Sequence, residues 1–124
     1  MAKILIVDDS PTVRASLNAI LTQLSHEVVE AEDGYDGLSK LKRNKDVAMV
    51  FADVHMPQMD GLTMIKEIVL NTSGKYGNIP CVVISTEDDK NIIDLARLSG
   101  VKAWCVKPFQ TSVIEQILSR YLEV

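Results

Sequence analysis

Short apolar runs alternate with amphipathic stretches along the chain. Ile4–Val7 is apolar at every position, which predicts a strand buried on both faces rather than one side wetted by solvent. Ser10-Pro11 then predicts a helix start, because Ser10 can accept from an orphan N–H and Pro11 suits the first helical position. Val13, Leu17, Ile20, Leu21 and Leu24 follow at helical spacing as one apolar stripe. Glu27–Ala31 is a weaker strand, polar at its start and therefore expected at a sheet edge. Tyr35–Leu41 is expected as a short helix and Val47–Ala52 as a third strand. A helix should run from Gly61 or Leu62 to about Leu70, packing Met64, Ile65, Ile68 and Val69. Asn71–Asn78, with Gly74 and Gly77, is expected as a loop. Pro80 precedes a fourth strand, Cys81–Ser85. A helix over roughly Asp88–Ser99 should end at Gly100 as the C′ residue. Ala103–Val106 is the fifth strand. Gln110–Tyr121 is the last helix, with Val113, Ile114, Ile117, Leu118 and Tyr121 on one side. Strict strand–helix alternation predicts a parallel sheet with helices on both faces, and right-handed crossovers leave only a few doubly wound orders.

Reactive side chains follow four of these runs. Asp8-Asp9 follow Ile4–Val7, Asp53 follows Met49–Ala52, Ser85 follows Cys81–Ile84, and Lys107 follows Ala103–Val106. In an open parallel sheet all would emerge along the carboxyl edge, where such sheets bind ligands. Three carboxylates, a hydroxyl and an ammonium suit a hard cation and a phosphoryl group.

The 124 residues suffice for one domain with a real core, and nothing is left over for a second domain or a repeat. Net charge is −4 and no basic stripe is interleaved with aromatics, so nucleic acid is not an expected partner. Cys81 and Cys105, each inside an apolar run, are expected as buried free thiols of a reduced cytoplasmic protein rather than a disulfide, and their spacing suggests no zinc site. The apolar runs are too short to span a membrane, and the first meets Asp8-Asp9 too soon for a signal peptide.

Three close carboxylates repel one another, and each raises the cost of ionising the others. An all-oxygen cluster suits Mg2+, which takes few protein carboxylates and keeps several waters. Taken alone, Asp8-Asp9 read first as a helix cap or a solvated strand end, ahead of a cation site. Lys107 shifts the balance, since an ammonium beside the cluster can neutralise a carboxylate at rest and a phosphoryl oxygen later. Pro108 could fix the lysine backbone through a cis bond. Ser85 could donate to a phosphoryl oxygen, or cap the following helix with Thr86 and Asp88 as rivals.

Four segments together resemble the receiver domain of two-component response regulators, over essentially the full length: Val7-Asp8-Asp9-Ser10, Asp53-Val54-His55-Met56-Pro57-Gln58-Met59-Asp60-Gly61-Leu62, Val83-Ile84-Ser85 and Val106-Lys107-Pro108-Phe109. The chain is most similar to the single-domain, CheY-like regulators of chemotaxis. The resemblance implies a flavodoxin-like receiver fold over residues 1–124: a doubly wound five-stranded parallel sheet in the order 2-1-3-4-5, flanked by five helices. It implies that Asp53 accepts a phosphoryl group from the phosphohistidine of a histidine kinase or phosphotransfer domain. Asp9, Asp53 and the His55 backbone carbonyl would ligate Mg2+, with Asp8 nearby or acting through water. Lys107 would contact a phosphoryl oxygen. Ser85 would hydrogen-bond the phosphoryl group in the active state, with Trp104 turning inward as Ser85 moves. The face built by the fourth helix, fifth strand and fifth helix would meet a downstream protein. The resemblance further implies a cytoplasmic monomer that is a phosphoacceptor signalling protein, catalysing only its own phosphorylation and slow dephosphorylation.

The border of this edge departs from the usual receiver pattern. Thr86 stands where receivers usually carry Ala or Gly, and a branched residue there would narrow the path to Asp53. His55 and Glu87 are expected to tune the phosphoryl lifetime by steering or excluding water. Trp104 replaces the more usual Tyr or Phe, and its larger indole carries a single donor. Glu87, Asp88 and Asp89 favour the fourth helix's dipole and give the target face a negative rim. An aspartyl-nucleophile phosphatase would want a second Asp where His55 stands, and usually a cap domain. A non-phosphorylated interaction module would not need the retained acidic pair, Asp53, Ser85 and Lys107. A flavin-binding domain would need a phosphate-cradling loop where Asp8-Asp9 stand.

Overall fold

The computed structural model describes residues 1–70 and 78–122. Its elements are β1 (Lys3–Val7), α1 (Pro11–Gln23), β2 (Glu27–Ala31), α2 (Gly34–Arg43), β3 (Val47–Ala52), α3 (Gly61–Leu70), β4 (Cys81–Ser85), α4 (Lys90–Leu98), β5 (Ala103–Val106) and α5 (Thr111–Tyr121). The expected loop over Asn71–Asn78 lies, apart from Asn78, outside the described residues.

All the strands are parallel and lie in the order β2-β1-β3-β4-β5. The run Ile4–Val7 is buried on both faces because the sheet divides two apolar layers. On one side Leu5, Val7, Val50 and Val83 meet Leu41, Met64, Ile65, Ile68 and Ala96 from α2, α3 and α4. On the other, Ile4, Ile6, Phe51 and Ile84 meet Leu17, Leu21, Ile114 and Leu118 from α1 and α5. Cys81 belongs to the first layer and Cys105 to the second, so the sheet itself separates the two free thiols. Burial pushes the Cys81 thiol up to about 12.

Most expected boundaries hold within a residue or two. Ser10 accepts from the Val13 N–H with Pro11 at the first helical position, as its sequence predicts. The fourth helix starts later than expected. Asp89 is its N-cap, its carboxylate accepting from the Asn91 N–H at 2.8 Å, so Ser85, Thr86 and Asp88 do not cap it. Gly100 follows the C-cap Ser99 with φ of 103°, a conformation open to glycine. Val113 is exposed although it shares the α5 stripe, and Val106 is 41% exposed at the end of the edge strand β5, on the face it shares with Trp104 rather than the one covered by α5.

Candidate functional site

β1 and β3 are neighbours, so the chain leaving each carries its carboxylate to the same edge. The Asp53 N–H donates to the Val7 carbonyl at 3.0 Å and the Asp8 N–H to the Ala31 carbonyl at 3.1 Å, extending the ladder one residue beyond each strand. Asp8 and Asp53 are buried, while Asp9 is exposed. Ligand oxygens of the three lie within 4.8 Å of one another. That spacing and an all-carboxylate donor set fit a small hard cation. The start of α3 closes under this edge. A Cβ at Gly61 would stand 1.9 Å from the Asp53 carbonyl oxygen, so only glycine fits there.

Lys107 arrives from the end of β5, placed by its own N–H donating to the Ser85 carbonyl at 2.8 Å, and the Lys107-Pro108 peptide is cis. Its Nζ donates to Asp8 Oδ2 and to Asp53 Oδ2, each at 2.9 Å. Burial pulls the Lys107 pKa down, but the hydrogen bonds and charges of Asp53 and Asp8 leave it above the usual lysine value. Asp8 is raised, because burial outweighs the stabilisation of its carboxylate by the Ser10 N–H and Lys107. One ammonium faces three carboxylates, so the edge keeps an excess of negative charge that a divalent cation would offset.

The remaining expected residues form the border. Asp53 Oδ1 accepts from the His55 N–H at 3.3 Å. The His55 Nε2 lies 3.7 Å from Glu87 Oε1, a contact that is an ion pair only when the imidazole is protonated. Ser85 is fully buried, and its Oγ accepts from the Glu87 N–H at 3.2 Å. The indole of Trp104 is half-buried and donates to the Glu87 carbonyl at 2.9 Å. Glu87 therefore joins His55, Ser85 and Trp104, whereas the Thr86 residue is exposed at the surface.

Sequence reasoning missed one group that touches the acidic turn. The Arg14 Nη1 donates to the Asp8 carbonyl at 2.5 Å, and its Nε to Glu30 Oε1 at 3.1 Å. The Asn18 Nδ2 donates to the other Glu30 oxygen at 2.8 Å. The available signal was faint: two polar residues four apart on α1, and a carboxylate one residue before the apolar end of β2.

A family model described as response regulator receiver domain matches residues 4–119. The chain is 36% identical to a chemotaxis protein CheY homolog of Campylobacter jejuni over 121 residues, covering 97% of this chain and 92% of that protein. Among solved structures it resembles the chemotaxis response regulator CheY4 of Vibrio cholerae, 30% identical with a TM-score of 0.88, covering 98% of this chain and 99% of that one. It also resembles a chain of the CheX–CheY–BeF3–Mg2+ complex from Borrelia burgdorferi, 25% identical with a TM-score of 0.86, covering 98% of this chain and 90% of that one.

Proposed function

The chain belongs to the response regulator receiver family, and on that footing we propose that it is a phosphorylatable switch in chemotaxis signalling, with Asp53 the phosphoryl acceptor. The carrying observation is the Lys107 ammonium, held at 2.9 Å from both Asp53 and Asp8 inside a trio of carboxylates. Asp9, Asp53 and the His55 main-chain carbonyl would hold Mg2+, with Asp8 close by or acting through water. When bound, Mg2+ would disperse the charge on the phosphoryl oxygens. The named relatives from chemotaxis, and the Borrelia complex that contains Mg2+ and BeF3, support this reading.

The protein's own groups account for the rest. Asp53 is fixed through both oxygens, one by the His55 N–H and one by Lys107, so it meets a donor already oriented. A bond forms from its carboxylate oxygen to phosphorus as the bond from phosphorus to the donor imidazole nitrogen breaks, and the electron pair returns to that nitrogen. Lys107 is placed to follow the charge from carboxylate to phosphoryl oxygen. The Ser85 hydroxyl accepts from Glu87 and can turn its own proton to the phosphoryl group, a contact available only in the modified state. The histidine kinase or phosphotransfer domain is the donor. The target, a downstream protein, meets α4, β5 and α5, where Leu95, Leu98, Val106 and Val113 are exposed. No described helix is long and apolar enough to cross a membrane, and the cytoplasm is the compartment we propose.

Incubation with acetyl phosphate and Mg2+, followed by intact mass, tests the assignment. A gain of one phosphoryl group is expected, lost in Asp53→Ala. No gain in the unaltered chain favours a receiver-like interaction module that is not phosphorylated.

A further inference from the structure

We propose that Arg14, braced by Glu30 and Asn18, is a positioning residue that aims Asp9 at the cation, an inference resting on the metal reading above. Asp9 is the one exposed member of the acidic trio, and no hydrogen bond among the described residues holds its carboxylate. The backbone that carries it therefore sets where its side chain starts and which rotamers reach the cation. The Asp8 carbonyl and the Asp9 N–H share one planar peptide unit, so fixing the carbonyl fixes the start of Asp9.

Arg14 fixes that carbonyl through Nη1, while the Asp8 N–H is bound to Ala31 on β2. The guanidinium is itself locked. Glu30 accepts from Arg14 with one oxygen and from Asn18 with the other, and Asn18 Oδ1 accepts from the Thr22 hydroxyl at 2.8 Å. The chain of contacts thus ties α1 and β2 to the peptide ahead of Asp9. A planar fork with donors on two sides can reach Glu30 and the carbonyl together, whereas a lysine ammonium on its flexible stem cannot reproduce that geometry. Groups that orient metal ligands from behind typically change metal affinity by one to two orders of magnitude.

Charge and position act in opposite directions here, which makes the idea testable. Removing a cation from beside the acidic trio should tighten Mg2+ binding by electrostatics alone, whereas losing the positioning should weaken it. Calorimetric titration of the intact, unphosphorylated protein with MgCl2 would compare the unaltered chain with Arg14→Ala, Arg14→Lys and Asp9→Ala, with a melting curve for each. We expect roughly tenfold weaker binding in both Arg14 variants. Equal or tighter binding in them overturns the proposal, and a lowered melting temperature with unchanged affinity reduces Arg14 to a structural brace and overturns it equally. Arg14→Lys, which keeps the charge, carries the test if the alanine variant does not fold. Failure of the unaltered chain to bind Mg2+ overturns the metal reading, and this inference with it; binding that is kept in the Arg14 variants but lost in Asp9→Ala overturns this inference alone.

Discussion

The Trp104 indole donates to the carbonyl of Glu87 at 2.9 Å, tying β5 to the turn that follows β4. Any reorientation of the ring must break or remake this bond, its single donor contact. Because this is the only tryptophan, its fluorescence reports that event directly. We expect a change in emission on adding Mg2+ with acetyl phosphate, and no phosphodonor-dependent change in Asp53→Ala. A flat signal in the unaltered chain would mean that Trp104 stays in place.

The His55 imidazole and the Glu87 carboxylate lie 3.7 Å apart, and the backbone N–H groups of these two residues donate to Asp53 and Ser85. If the two side chains control access of water to a phosphorylated Asp53, replacing either by alanine should change that access. His55→Ala and Glu87→Ala should each alter the decay rate by about threefold to tenfold, the scale of a contact worth roughly 1 kcal/mol. Phosphate release after removal of the donor measures it, and unchanged lifetimes in both variants would rule out the tuning role.

Lys107→Ala leaves Asp8 and Asp53 buried without their shared ammonium. Breaking a buried pair in this way should cost about 3 kcal/mol at neutral pH. Mg2+ should restore much of that loss, because a cation that binds only the folded chain supplies the missing charge. Urea unfolding with and without MgCl2 checks both expectations. Phosphorylation of Asp53 should slow sharply even with Mg2+ present.

The imidazole of His26 accepts from the Ala2 N–H through Nδ1 at 3.1 Å, a bond that needs the nitrogen unprotonated. Burial first, and the nearby N-terminal ammonium second, hold its pKa below the usual value. An imidazole lowered in the folded state contributes stability that is fully present above its unfolded pKa, near 6.5, and is lost as pH falls through the folded value. Unfolding curves between about pH 7 and pH 5 should therefore show a loss of stability that is smaller in His26→Gln. Parallel pH dependence in the two proteins would exclude His26 as the cause.

Much of the fold was legible in local pattern. β2, β3, β4 and β5 run over the residues that their sequence runs predict, because turn and capping residues interrupt the apolar positions sharply. The reactive edge was legible for the same reason, since a polar residue just after a buried parallel strand has to emerge at its carboxyl end. The start of α4 was less so. Ser85, Thr86, Asp88 and Asp89 all have capping side chains, and the path of the turn selects Asp89. Arg14 was not legible as part of the site. An arginine on a helix surface looks solvated until β2 places Glu30 against it.

By itself the sequence determined the element order, the apolar layers and the inventory of carboxylates, hydroxyl and ammonium, since these depend on periodicity and residue type. Only the tertiary structure decided the pairings. Lys107 reaches Asp8 across 99 residues of chain because the sheet order brings β5, β3 and β1 to one edge. The same dependence separates the cysteines. Cys105 pairs in register with Ile84, three residues from Cys81, and the alternation of side chains puts the thiols on opposite faces. Periodicity is a property of a single strand, whereas register and contact exist only between strands that the fold has brought together.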